Sequence, residues 1–209
     1  MSSTADVIAD RHRYDHDHRT LVSSTQEVHL QHLCRELLLT LGYDPEDAEL
    51  SDTPRRWAAW WMEVMSVDDA PMTTFDTCQS PEAVAVEGIQ TWSVCKHHLL
   101  PFSMSVSIAY RPVGRLLGLS KFVRITREVS AGLNVQEDVT ELIADRICEA
   151  TGASDVCVIA IGRHLCMEAR GVKASARTRT VATRGDAPHV LFADYAPAGQ
   201  SRQAGPESW

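Results

Sequence analysis

Phe102, Met104, Val106, Ile108 and Tyr110 alternate with Ser103, Ser105, Ser107 and Ala109. A period of two over nine residues specifies a strand with one buried face. Residues 84–94 alternate less cleanly, and Gly88 marks a bulge or bend in that strand. Upstream the period changes. Leu30, Leu33, Leu37 and Leu41 keep a helical spacing, with Cys34 and Leu38 on the same side. Ser24-Thr25-Gln26-Glu27 reads as its capping box and Gly42 as its stop. Residues 45–50 read as a short helical turn. Asp52 then reads as the N-cap of a second helix, with Pro54 in its first turn and Trp57, Trp60, Trp61 and Val64 as its buried stripe.

Downstream, residues 111–114 make a turn and residues 116–119 a short returning strand. A helix is expected over residues 120–130 and a break at Gly132-Leu133-Asn134. A second helix is expected over residues 136–151, with Val139, Leu142, Ile143 and Ile147 inward and Gly152 after it. Strands are expected over 155–161, 165–172 and 177–183, and a loop over 67–82. The order of strand, strand, paired helices, strand, strand indicates an α+β fold. The organisation read from these patterns is a disordered arm over 1–22, a helical segment over 23–69, a catalytic domain over 70–185 and a loose tail over 186–209. There are no internal repeats, heptads or nucleotide-binding glycine loops.

Composition narrows the function classes. In 209 residues, 44% are hydrophobic and 23% charged, as in an ordinary globular protein. No apolar run approaches the ~18 residues of a membrane span. The start has no apolar signal-like region, so the expected compartment is the cytoplasm. A net charge of −8 argues against general nucleic-acid binding, so any anion site must be local. Six cysteines read as reduced thiols, some of them ligands, rather than as a disulfide framework. His12, His16 and His18 read as part of a solvated arm.

Candidate chemistry gathers at two places. In Cys95-Lys96-His97-His98 a thiol and an imidazole three residues apart can reach one metal ion from a single turn. His164-Leu165-Cys166 repeats the pairing at spacing two. Read singly, each His and Cys is an ordinary core or surface residue; two pairs flanked by strand-like sequence favour one zinc site. If Cys95, His98 and Cys166 bind one zinc, three ligands leave a position for water, and the chemistry is then hydrolytic. His97 and His164 are then the imidazoles placed to move protons. Lys121, Arg124 and Arg127 at a helix start read either as a phosphate site or as a solvated basic face. Arg55 and Arg56 sit against the dipole in the first turn of their helix, a hint of an anion partner.

In order and spacing, Cys95-Lys96-His97-His98, Gly118-Leu119-Ser120-Lys121 with Arg124, Val135-Gln136-Glu137, and His164-Leu165-Cys166 with Arg170-Gly171 resemble GTP cyclohydrolase I. Thr53-Pro54-Arg55-Arg56 is similar to the N-terminal helix of that family. The resemblance covers roughly residues 25–185. It implies a tunnelling fold, a four-stranded antiparallel sheet with two helices on one side, in a homo-oligomer of ten subunits with shared active sites. It implies Zn2+ on Cys95, His98 and Cys166, and proton transfer by His97 and His164. Glu137 would anchor the guanine edge with Gln136 beside it. Ser120, Lys121, Arg124 and Arg170 would hold the ribose and triphosphate, with Arg56 reaching in from a neighbouring subunit. The implied reaction opens the imidazole ring of GTP, releases formate and gives 7,8-dihydroneopterin triphosphate. Three departures stand beside it. Lys96 replaces a usual Glu, Ala59 replaces a frequent Lys, and a Pro/Gly-rich tail replaces a C-terminal helix. These keep two alternatives open: a paralogue acting on GTP or another guanine nucleotide to give a different product, and a non-catalytic, metal-stabilised assembly protein.

Overall fold

The computed structural model describes residues 23–66, 73–76 and 81–186. The arm over 1–22, most of the expected 67–82 loop and the tail beyond Asp186 lie outside the described residues. Two compact units make up the chain, Met1–Asp68 and Asp69–Trp209.

In the first unit, α1 (Ser24–Thr40) is closed by a capping box one residue earlier than expected. The Ser23 hydroxyl accepts from the Gln26 amide at 3.3 Å, and the Gln26 side chain accepts from the Ser23 amide at 2.7 Å. The Ser-Ser and Gln-Glu pairs satisfy the same pattern in either register, which is why sequence alone is degenerate there. Gly42, at φ +85°, ends the helix. Its amide bonds Leu39 and the next one, of Tyr43, bonds Leu38, the two contacts of a Schellman stop.

α2 (Thr53–Met65) begins at Asp52 with Pro54 in the first turn. The Asp52 side chain does not cap the backbone. It accepts instead from Arg55 at 2.7 Å and Arg56 at 2.9 Å. Both arginines thus share a carboxylate of their own helix start. The tryptophan stripe is only half-buried; Pro54 and Ala58 are the buried positions. The indoles pack edge-on to each other, Trp60 on Trp61 at 4.8 Å and Trp57 on Trp61 at 5.9 Å.

The second unit is built on a sheet of β2 (Val84–Cys95), β3 (Pro101–Tyr110), β6 (Val156–His164) and β7 (Thr178–Arg184), antiparallel and in that order. A two-residue strand, β5 (Leu133–Asn134), adds in parallel to the end of β2. The register of β2 against β3 slips between Val86 and Ile89, at Gly88, as its sequence indicates. α3 (Leu119–Ser130) and α4 (Gln136–Thr151) cover one face of the sheet. Phe122, Ile125 and Val129 of α3 join Val139, Ile143 and Ile147 of α4 against the even-numbered residues of β3 and Val156, Val158 and Ala160 of β6. This is the four-stranded sheet with two helices on one side, the tunnelling-fold unit, preceded in sequence by helices. On the other face Ala109, Cys157 and Ile159 form a smaller cluster. No described helix is long and apolar enough to cross a membrane.

Two expectations are corrected. The short strand after the 111–114 turn, β4 (Arg115–Leu117), does not return onto β3. It pairs with β1 (Thr74–Asp76) in a separate ribbon, within a stretch read from sequence as loop. Three residues are too few to show a period. The strand before Cys166 also runs further than expected. β6 continues through Arg163 to His164, which pairs with Phe102, and residues 165–168 turn into a one-turn helix, α5 (Leu165–Glu168), rather than a strand. The Arg163–Glu168 ion pair, at 2.7 Å, spans that turn.

Candidate metal centre

The hairpin from β2 to β3 is a five-residue loop, with Val94 and Pro101 still paired across its base. Cys95 is the last residue of β2. Its carbonyl accepts from the amides of His98 at 3.2 Å and Leu99 at 2.8 Å, and its own amide bonds Leu100. These bonds curl residues 96–98 into a turn that brings the His98 ring back over its own cysteine. Leu99 closes the turn at φ +53°, a left-handed conformation that a leucine adopts against a steric cost. The loop is also tied to the helices. The Lys96 amide bonds the Asn134 carbonyl at 3.0 Å. The Asn134 side chain in turn donates to Ser93 and to the carbonyls of Ser130 and Ala131 at the end of α3. Lys96 Nζ pairs with Asp138 in the first turn of α4 at 3.2 Å.

Cys166 arrives from the other side, on α5. Its sulfur, that of Cys95 and a ring nitrogen of His98 all lie within 4.8 Å of one another. Among the described residues this is the one such group of three or more metal-capable side chains. Cys95 Sγ and His98 Nδ1 are 3.5 Å apart. Zinc bonds of ~2.0–2.3 Å in a tetrahedron separate neighbouring ligand atoms by roughly 3.5–3.8 Å, so the residues fit the ion with little adjustment. Burial, and then the neighbouring Cys95 sulfur, push the Cys166 thiol up from its ordinary value. A divalent cation reverses that preference, because it binds the deprotonated sulfur. No disulfide joins the described cysteines.

The other expected site residues divide by environment. His97 is exposed on the turn, its ring edge-on to that of His98 at 6.2 Å. His164, at the end of β6, is half-buried. Its ring lies flat on Phe102, with centroids 4.7 Å apart and planes 10° apart, and its Nε2 is 2.8 Å from Gln136 Oε1. Burial pushes the His164 imidazole down from its ordinary value, while Glu137 and Glu168 pull it back up. Glu137, the second residue of α4, is exposed, whereas Gln136 is 1% exposed and its amide is bonded to protein groups. At the start of α3, Ser120 is exposed, Lys121 buried and Arg124 half-buried. Arg170 follows α5 and is exposed. Arg56 belongs to the first unit, paired with Asp52.

Sequence reasoning passed over Asn134, Phe102, Asp138 and Gly162. One of them carried a signal. A glycine inside a strand marks a close approach. A Cβ on Gly162 would lie 2.0 Å from Gln136 Oε1 and 3.1 Å from His164 Nε2.

Over most of its length the chain is similar to known proteins. The sequence model of GTP cyclohydrolase I matches residues 30–189. The chain is 43% identical over 152 residues to GTP cyclohydrolase 1 of Hyperthermus butylicus, covering 73% of this chain and 79% of that one. It is 38% identical over 162 residues to GTP cyclohydrolase 1 of Deinococcus radiodurans, covering 75% of each. With GTP cyclohydrolase 1 1 of Pseudomonas syringae pv. tomato it shares 39% over 145 residues, 66% of this chain and 77% of the relative.

Proposed function

Because the chain belongs to the GTP cyclohydrolase I family, we propose that it is the hydrolase that opens the imidazole ring of GTP, releases formate and yields 7,8-dihydroneopterin triphosphate. The observation that carries this reading is the Cys95, His98 and Cys166 cluster formed two residues from a half-buried, hydrogen-bonded His164. A structural metal site requires the first group and has no use for the second.

Cys95, His98 and Cys166 would hold Zn2+, which when bound supplies Lewis-acid activation of water and of an electrophilic carbon. The chain's own residues do the rest. His97 and His164 take up and release the protons that ring opening moves. Glu137, exposed at the start of α4, accepts from the N–H edge of guanine, a paired contact that a carboxylate makes well. Ser120, Lys121, Arg124 and Arg170 receive the ribose and phosphates, and the α3 amides add to the anion site. Arg56 joins them from a neighbouring subunit of a homo-oligomer, a decamer in this reading. Half-exposed leucines on α1, Leu33 at 45% and Leu37 at 47%, support association of subunits through the helical segment. The unpaired thiols support the cytoplasm as its compartment.

The test is product identification. The zinc-loaded protein is incubated with GTP, GDP, GMP and guanosine, and formate and pterin products are measured by mass. GTP as best substrate with a pterin triphosphate product is the expected result. Formate without a pterin would move the assignment to a different guanine-nucleotide hydrolase. No turnover of any of the four by zinc-replete oligomer would sink it.

A further inference from the structure

We propose that Gln136 is a positioning residue that fixes which ring nitrogen of His164 carries the proton. The inference deepens the proposed function, since it rests on His164 as a proton-transfer group.

The Gln136 amide has one orientation that its surroundings accept. Its nitrogen lies 3.1 Å from the carbonyl oxygens of Ala160 and Thr178 and 3.1 Å from Thr180 Oγ1. Carbonyl oxygens only accept, so the NH2 end must face them. The threonines agree. Thr140 Oγ1 donates its one proton to the main-chain carbonyl of Gln136 at 2.8 Å. The 2.6 Å bond between the two hydroxyls is therefore donated by Thr180, which leaves Thr180 Oγ1 as an acceptor toward Gln136. Turning the amide over would set its oxygen against two carbonyls in a site where Gln136 is 1% exposed and no water can compensate.

The amide oxygen is thereby fixed toward His164 Nε2, at 2.8 Å. That oxygen only accepts, so Nε2 carries hydrogen whatever the charge on the ring. In neutral His164 the lone pair stays on Nδ1, and Nδ1 is the one atom that exchanges a proton without breaking the network. Two further features serve this contact. Gly162 has no side chain to occupy the space between Gln136 and His164. Phe102 stacks on the ring and holds its plane. Ala160, Thr178 and Thr180 lie on β6 and β7, so the sheet itself sets the proton's position. This role differs from the place beside Glu137 at the guanine edge that the resemblance implies for Gln136.

The experiment reads the tautomer apart from turnover. The zinc-loaded protein is labelled with 15N-histidine, the His164 signals are assigned by their loss in His164→Gln, and the ring nitrogens are read by NMR. The wild type should show His164 protonated at Nε2 and bare at Nδ1. In Gln136→Met, of similar size without the acceptor, both tautomers should appear, and kcat should fall by ~10-fold or more, as for other groups that orient a functional imidazole, with KM for GTP little changed. Gly162→Ala keeps Gln136 but displaces its oxygen, and should reproduce both effects. Nδ1–H in the wild type overturns the proposal, and that measurement needs no variant to fold. An Nε2–H tautomer that persists in both variants, with KM rising instead, also overturns it in favour of guanine contact. If the variants free the tautomer and turnover stays normal, the positioning by Gln136 stands and the proton-transfer role of His164 falls.

Discussion

His97 and His164 flank the metal ligands in sequence and carry the same proposed task, yet the protein surrounds them differently. His97 projects from a hairpin turn into solvent, with the edge of His98 as its ring neighbour. His164 ends a central strand, stacked on Phe102 and bonded to a buried glutamine. The first sits on a turn closed by its own backbone bonds between Cys95 and Leu100 and tied through Lys96 to Asn134 and Asp138. The second depends on β3, β6, β7 and α4 together. One imidazole is exposed to solvent; the other cannot move without leaving a buried acceptor unpaired. The contrast separates two settings for a proposed proton-transfer group, one exposed on a turn, one packed and bonded at the end of a strand.

The largest effect should come from the ligands both histidines adjoin. Cys95→Ala, His98→Ala and Cys166→Ala should each lose most bound zinc and essentially all turnover, checked by metal analysis of purified protein. A Cys166→Ala variant that keeps about one zinc per chain and stays active would dissolve the site on which the comparison depends.

Next come the histidines themselves. Both His97→Ala and His164→Ala should keep zinc and lose ~10²-fold or more in kcat. They should part company in stability. His164→Ala strands Gln136 Oε1 and removes the stacked ring, a destabilisation of about 1–3 kcal/mol by denaturant titration. His97→Ala, at an exposed position, should stay within ~0.5 kcal/mol of wild type. Equal stability of the two variants would erase the distinction drawn here.

The smallest effect tests how tightly the turn of His97 is moored. The Lys96–Asp138 pair is partly exposed, 31% and 41% by side chain. Breaking it in Lys96→Ala should cost ~0.2–1 kcal/mol. Exchanging the charges, Lys96→Glu with Asp138→Lys, should restore most of the loss, as a double-mutant cycle would show. Independence of the two positions would show that this ion pair does not moor the turn.

Sequence reading reached further into the fold than into the site. The alternation in β3, the Gly88 bulge, the bounds of α4 and the Gly42 stop are local decisions, made by side chains against their own backbone, and all are present in the structure. Strand pairings shorter than a period, such as β1 with β4, were not legible, because three residues do not reveal which face is buried. The end of β6 was misplaced for a related reason. Arg163 and His164 look like a loop by composition, and pairing with Ser103 and Phe102 keeps them extended.

By itself the sequence determined which metal-capable side chains stand near one another along the chain. Cys95 and His98, three residues apart, need one turn to face each other, a spacing that suits a shared metal ion. Tertiary structure alone decided that Cys166 meets them, that Gln136 turns inward at the head of α4, and that His164 has one tautomer. Those outcomes depend on which carbonyls of β6 and β7 face the helix. A hydrogen bond is directional and short in reach, so its partners are fixed only once the sheet register is, and no spacing along the chain encodes that register on its own.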